Sequence, residues 1–403
     1  MTLALALAAG AFVFVAPAEL AALAGPLAAL AAAAIVWIVT QPAGVSRDDT
    51  LPALAVALSA LGLLTVARLS PELVPKQLLL LGLSLGLVIA GAPFIARFRV
   101  LAAYKYIWIV LTIALFLALA LFGQEVNGAK LWIRLGPMQF EPVEAIKLLV
   151  VLFMASYLAE TADVIADTRP WSLRANAKYL GPLFIGWGSS MAILVFQRDI
   201  GMAVLLFATF AAMLYVATRR IDLVAGACAV FGGAVLWAAQ HYHYVQQRVE
   251  VWRHPFGDPL GAGYQSVQAL FSLAAGGIFG TGYGLGHPGY IPDVGTDYVL
   301  AAWSEEWGAI GALALYVAFL ALVLRSLRIA GRAPDLYAKL LATGLAATLG
   351  FQIVIIAGGV LGLFPLTGIT LPFIAYGGSS LVTNFLLVAL VWTISSERRA
   401  PAR

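Results

Sequence analysis

Trp252-Arg253-His254-Pro255-Phe256-Gly257-Asp258-Pro259-Leu260-Gly261-Ala262-Gly263-Tyr264-Gln265 opens a polar, glycine-rich segment that runs on to Thr296-Asp297-Tyr298 and then straight into Glu305 and Glu306. Apolar runs of membrane length flank it. A chain that is 62% hydrophobic and 11% charged, with a mean hydropathy of +0.94, cannot hide its apolar side chains in one soluble core. It is therefore an all-α, polytopic membrane protein by composition. Polar residues kept against so strong a trend point to binding or chemistry at a membrane surface.

A bilayer-crossing helix takes about 20 apolar residues. Twelve such runs can be marked, roughly at 2–23, 25–40, 51–69, 77–95, 103–123, 142–160, 179–197, 200–217, 221–240, 300–326, 336–358 and 371–394. The first is rich in alanine and broken by Pro17, so a cleaved signal peptide is an alternative, although Met1 to Ala9 has no basic n-region. Lys and Arg cluster at Arg97, Arg99 and Lys105, at Arg169, Arg174 and Lys178, at Arg219 and Arg220, at Arg325, Arg328 and Arg332, and at Arg398, Arg399 and Arg403. With this span count all five clusters fall on one side, which becomes the cytoplasmic side and holds both termini. The loops at 124–141 and 241–299 then face outward. Cys228, inside an apolar run, reads as packing and offers no disulfide framework. The net charge of +4 follows orientation in the bilayer and does not suggest a nucleic-acid partner.

Each polar constellation has a sharp reading and a plain one. Gly128-Ala129-Lys130-Leu131-Trp132-Ile133-Arg134 is followed by Glu141-Pro142-Val143-Glu144-Ala145-Ile146-Lys147, where Pro142 suits a first helical position and Glu144 and Lys147 share a face at i, i+3. Charges just inside a bilayer need a pair or a polar cavity, so these two are either a structural lock or a substrate contact. Trp132 reads as an interfacial aromatic. Arg198, held by Asp199, could bind an anion through its guanidinium fork, or the two could be a solvated pair. Gly276 to Gly286 holds six glycines in eleven residues, without the Lys-Ser/Thr of a nucleotide loop, which favours close packing or close approach to a bulky ligand. Asp297, just before an apolar span, could be a general base whose pKa burial raises, or an N-cap. Glu305 and Glu306 need partners, with Arg198 or Lys147 as candidates. His241, His243, His254 and His287 show no metal-ligand spacing, and no metal site is expected. Leu371-Pro372-Phe373-Ile374-Ala375-Tyr376-Gly377-Gly378-Ser379-Ser380 opens the last run in a way that could line a cavity or simply pack small residues.

Taken in order, these motifs resemble the SEDS family (shape, elongation, division and sporulation), to which RodA, FtsW and SpoVE belong. The resemblance covers about 50–398 and rests on Gly-Ala-Lys-x-Trp-Ile at 128–133, x-Pro-x-Glu-x-x-Lys at 141–147, Asp-Pro-x-Gly-x-Gly-Tyr-Gln at 258–265, Pro-x-x-x-Thr-Asp-Tyr at 292–298, Glu-Glu-x-Gly at 305–308 and Leu-Pro-Phe-Ile-x-Tyr-Gly-Gly-Ser-Ser at 371–380. It implies a ten-span helical core over 50–398, with the 241–299 loop between the seventh and eighth core spans. Two extra spans then occupy 1–49, and a short tail occupies 399–403. Departures are Gln197-Arg198-Asp199-Ile200-Gly201-Met202 for the family's Gln-Pro-Asp-Leu-Gly-Thr, Glu141-Pro142-Val143-Glu144 for Gln-Pro-Ser-Glu, and Gly295 where a His often precedes Thr-Asp. The Arg in Gln197-Arg198-Asp199 tilts the reading toward the RodA-like branch.

The resemblance further implies a peptidoglycan glycosyltransferase of the bacterial cytoplasmic membrane that polymerises lipid II on the outer face. Asp297 takes the place of the family's essential Asp, Glu144 and Lys147 of its intramembrane pair, and Trp132 of its loop Trp. In an inverting transfer, Asp297 would accept the proton of the attacking C4 hydroxyl while undecaprenyl diphosphate leaves. Lys130, Arg134, Arg198 or Arg253, with a divalent cation (magnesium or manganese) as a further candidate, would stabilise the leaving group. Asp199, Gln265, Glu305, Ser379 and Ser380 complete the candidate substrate-binding set. A class B penicillin-binding protein is the implied partner. The rival reading from the residues is a lipid-linked precursor flippase, which lacks support from an internal repeat.

Overall fold

The computed structural model describes residues 47–126, 129–135, 138–167 and 198–396, with isolated positions between 179 and 191. The expected spans at 2–23 and 25–40, most of 179–197 and the tail at 399–403 lie outside the described residues. The helices are α1 (Thr50–Leu69), α2 (Val74–Ile95), α3 (Lys105–Phe122), α4 (Pro142–Asp167), α5 (Ile200–Thr218), α6 (Ile221–His241), α7 (His243–Arg253), α8 (Tyr264–Gly276), α9 (Val299–Arg332), α10 (Leu336–Val360) and α11 (Gly378–Ile394). Among the described residues eight of these, α1 to α6 with α9 and α10, are long and apolar enough to cross a bilayer, and the chain is a multi-pass membrane protein. Runs of Leu, Ala and Val give each span continuous helix. Their starts are marked by polar caps such as Asp199, which accepts from the Met202 amide at 3.0 Å, and Asp335, which accepts from Ala338 at 2.8 Å.

The core gathers around α10, which packs against α4, α5, α9 and α11, while α1 lies against α9 and α11. Phe210, Phe319, Phe385 and Leu340 are fully enclosed there. Helices α2, α3 and α6 turn large apolar side chains outward, among them Leu87, Leu121 and Leu236, as lipid-facing helices do. Cys228 on α6 is exposed, so the expectation of a buried packing thiol is corrected: in a helix with lipid on most sides, an apolar run does not imply burial by protein.

Two further expectations change. The 124–141 loop is an antiparallel meander of β1 (Gln124–Val126), β2 (Ala129–Leu135) and β3 (Met138–Phe140), so the chain is not purely α. Strands of three residues carry no periodicity that a sequence pattern could show, and the alternating Leu131-Trp132-Ile133-Arg134 stands alone. The last helix begins at Gly378, not at 371: Leu371–Gly377 forms turns, as Pro372 and the positive φ of 64° at Phe373 require.

The glycine run does pack closely, and it does so against a break in α9. Gly308 has φ 67° and ψ −171°, a region open essentially to glycine. The backbone groups freed there are taken up by the run: Ala309 donates to the Gly277 carbonyl at 2.9 Å and Ile310 to Ile278 at 3.2 Å, while Thr281 and Gly282 donate to Glu305 and Glu306 at 2.9 and 3.1 Å. A Cβ on Gly308 would stand 2.3 Å from the Gly280 amide nitrogen, and one on Gly280 would stand 2.2 Å from the Glu306 carbonyl oxygen. Gly308→Ala should therefore destabilise the protein by about 2 kcal/mol or more. The check is its melting temperature in detergent; an unchanged value would mean that the break is not required.

Candidate functional site

Asp297 is set by a tight turn. Asp293 adopts φ 53°, a left-handed conformation that Asp tolerates, and its carbonyl accepts from the Thr296 and Asp297 amides at 3.1 and 3.3 Å. The Tyr376 amide donates to the Gly295 carbonyl at 2.9 Å and ties this turn to the segment before α11. Tyr298, not Asp297, occupies the N-cap position of α9, and no side chain caps that end. The N-cap alternative is thus corrected, and the Asp297 carboxyl is left to the cavity.

That cavity has a volume of about 570 Å³ and is bounded by α7, α8, the Asp293–Tyr298 turn and the C-terminal end of α10. Arg198, Tyr244, Arg248, Gln265, Ser266, Asp293, Asp297 and Tyr298 supply its polar lining, and Val251, Leu270, Val360 and Phe364 supply apolar walls. Burial raises the Asp297 pKa to about 6, and the Asp293 and Asp199 charges push the same way, while Thr296 and Arg248 oppose them. Asp199 is also raised to about 6, first by burial, with the Met202 amide and Arg248 countering. Glu141 is held well above the ordinary carboxylate range by burial and then by its neighbour Glu144.

Arg248 is the cavity residue that sequence reasoning missed. It lies on α7, donates to the Leu366 and Thr367 carbonyls at 3.4 Å each, and its charge reaches both Asp199 and Asp297. Trp252, one turn on, donates to the Gly362 carbonyl at 2.8 Å and holds α7 on the same loop. The only hint in the sequence is a basic residue in the amphipathic His243–Arg253 segment. Arg198 has φ 66° and its guanidinium stands 5.8 Å above the Tyr244 ring, which aims it into the cavity. Asp199, expected to hold Arg198, caps α5 and feels the charge of Arg248.

The other candidates divide. Gln265 lines the cavity and donates to the Pro292 carbonyl at 3.4 Å. Arg253 and Arg134 are exposed and do not line it, so neither is placed to meet a leaving group there. Trp132 is half-buried on β2, and Lys130 lies on the same strand with its side chain outside the described residues. Ser379 accepts from the Glu141 amide at 2.9 Å, and Ser380 accepts from Thr370 at 3.2 Å and from Asn384 at 3.1 Å, so both hydroxyls brace the segment behind the cavity.

Glu144 and Lys147 form a contact ion pair at 2.6 Å, each only 1% exposed, at an angle unlike that of a hydrogen bond. Lys147 also donates to the Gln352 side chain on α10 at 2.9 Å, and Gln352 donates to the Thr370 carbonyl at 2.8 Å. Lys147 thus links α4 to α10 and, through Gln352, to the loop that carries Gly368, whose backbone lies beside the Asp297 carboxyl. Glu305 and Glu306 do not meet Arg198 or Lys147. Glu306 pairs with Arg68 of α1 at 2.8 Å, and Glu305 accepts from the His287 amide at 2.7 Å, because the break at Gly308 turns this end of α9 toward α1 and the glycine run. No group of three or more His, Cys, Asp and Glu able to hold a metal is found among the described residues.

Comparison with known proteins points to one family. A family profile of cell cycle proteins, FtsW, RodA and SpoVE, matches residues 48–400. The peptidoglycan glycosyltransferase RodA of Mycobacterium tuberculosis is 39% identical over 77% of this chain and 67% of its own length. The crystal structure of the rod shape determining protein RodA of Thermus thermophilus superposes with a TM-score of 0.62 at 29% identity, covering 89% of this chain and 99% of that one. A chain from a peptidoglycan synthase complex that coordinates polymerization and crosslinking gives 0.70 at 28% identity, over 87% and 98%. With the profile spanning nearly all of the described residues, the chain belongs to the FtsW, RodA and SpoVE family of cell cycle proteins.

Proposed function

We propose that this protein is a peptidoglycan glycosyltransferase that polymerises lipid II at the outer face of the bacterial cytoplasmic membrane, in a RodA-like role. The observation that carries this reading is one cavity holding both a buried carboxylate whose pKa is raised to about 6, Asp297, and two guanidinium groups, Arg198 and Arg248. Transfer of a sugar from a lipid diphosphate needs a base at one end of the reaction and positive charge at the other.

In the step proposed, the Asp297 carboxylate accepts the proton of the acceptor C4 hydroxyl as its oxygen bonds to C1 of the donor sugar. The C1–oxygen bond to undecaprenyl diphosphate breaks with inversion, and the diphosphate leaves with the electron pair. Arg198 and Arg248 stabilise that charge, and the guanidinium fork matches its oxygens. Gln265 and Tyr244 are placed to orient the sugars. A magnesium or manganese ion would add charge neutralisation on the diphosphate, and Asp293 is the lining carboxylate that would help hold it, leaving Asp297 free as the base. In this reading both termini are cytoplasmic, residues 1–49 contribute two spans outside the ten-span core, and a class B penicillin-binding protein docks on the outer loops and spans.

The test is polymerisation of labelled lipid II by the purified full-length chain, with and without the transpeptidase partner, resolved on a gel. Glycan ladders are expected. Lipid II that crosses the bilayer without forming polymer would replace the transferase with the flippase.

A further inference from the structure

A second cavity, of about 330 Å³, lies at the other end of the bundle, where the last turn of α5, the last turns of α9 and the first turns of α10 meet. Helix α10 separates the two: its C-terminal Gly359 and Val360 line the Asp297 cavity and its Lys339 and Thr343 line this one. A helix of 25 residues spans about 37 Å, so the second cavity opens on the opposite face of the membrane.

Its polar groups can all donate. Arg219, Lys339, Thr343 and the Tyr215 hydroxyl face a space otherwise walled by Val216, Leu327 and Ala330. Among the described residues no carboxylate lines it, and Asp335 and Asp222 are engaged elsewhere: Asp335 pairs with Arg99 at 2.9 Å and caps α10, and Asp222 pairs with Arg220 at 2.5 Å. Among the described residues neither Arg219 nor Lys339 forms an ion pair. Arg219, the left-handed C-cap of α5 at φ 55°, answers the negative end of that helix. Lys339 has no such account. It sits in the first turn of α10, where the helix dipole disfavours a cation, and it is half-buried.

We infer that this cavity is a binding site for the phosphate headgroup of an anionic phospholipid, with Arg219 and Lys339 as the paired cations. The apolar surface outside it favours a lipid over a free anion. Leu313, Val317, Leu320, Leu324 and Leu327 form a continuous exposed stripe along α9, spaced at three and four residues, that runs down to the cavity mouth at Leu327. An acyl chain lying along that stripe places its headgroup at the two cations, where the surface of a leaflet would be.

The test uses the full-length chain in nanodiscs of phosphatidylglycerol or phosphatidylcholine, with lipid retention read by native mass spectrometry after release. The wild type should retain phosphatidylglycerol in preference to phosphatidylcholine. The double variant R219N/K339Q, in which Asn keeps the left-handed cap, should bind phosphatidylglycerol about thirtyfold more weakly, and Lys339→Arg should retain it. If the double variant does not fold, Lys339→Gln alone should weaken binding about fivefold. Equal retention by wild type and R219N/K339Q (or Lys339→Gln), or of the two lipids, overturns the site. Displacement of the lipid by millimolar inorganic phosphate overturns the choice of a lipid and leaves a free-anion site.

Discussion

Asp297→Asn should abolish glycan polymerisation, lowering the rate by about 10²- to 10⁴-fold, with substrate retention and melting temperature close to wild type. The amide keeps the size and shape of the carboxyl and loses the ability to take a proton. Its melting temperature should hold because no described side chain depends on Asp297 for a cap or an ion pair. Since burial lifts the Asp297 pKa to about 6, the wild-type rate should climb as pH rises through that value and level off above it. Below it the carboxyl is protonated and cannot act as a base. Asp199 is raised to the same range and interacts with Asp297, so the observed midpoint belongs to the two together. Rates measured from pH 5 to 8 check this; a flat profile, or polymer from Asp297→Asn, would remove Asp297 from the chemistry.

Lys147→Met should be the most damaging change away from the cavity. It leaves Glu144 enclosed without its counter-charge and Gln352 without its donor, at a cost of about 3–5 kcal/mol. The expected result is a collapse in yield or a large fall in melting temperature. Combining it with Glu144→Gln removes the stranded charge, and the double variant should regain most of the loss. Activity of that recovered protein separates the two readings of the pair. A lock needs only packing, so a stable, active double variant supports it. A stable but inactive one would give the pair a substrate contact.

What the sequence revealed and what it hid divide on physical grounds. Hydropathy marks the spans because each helix must satisfy its own backbone in lipid, and nine of the twelve expected runs have matching described helices, eight of them of membrane-crossing length. Asp297 stood out because a carboxylate at the edge of an apolar run is costly. The close packing of the glycine run was legible too, although its target was not. Long-range pairing left no trace: Arg68 meets Glu306 across 238 residues, and nothing near either one names the other. Arg248 was hidden for a similar reason, since a cation in a polar helix looks solvated until α10 and the Asp297 turn close around it.

The break at Gly308 also bears on how α9 fits a bilayer. As a straight rod the 34 residues of α9 would measure about 51 Å, more than a whole bilayer with its headgroups. The stretch after the break is long enough to cross alone, so the piece carrying Trp303, Glu305 and Glu306 is joined to the glycine run at least as firmly as to the rod beneath it. It is a separate short helix, set off from the rod at Gly308 and clamped by Arg68 of α1 through Glu306.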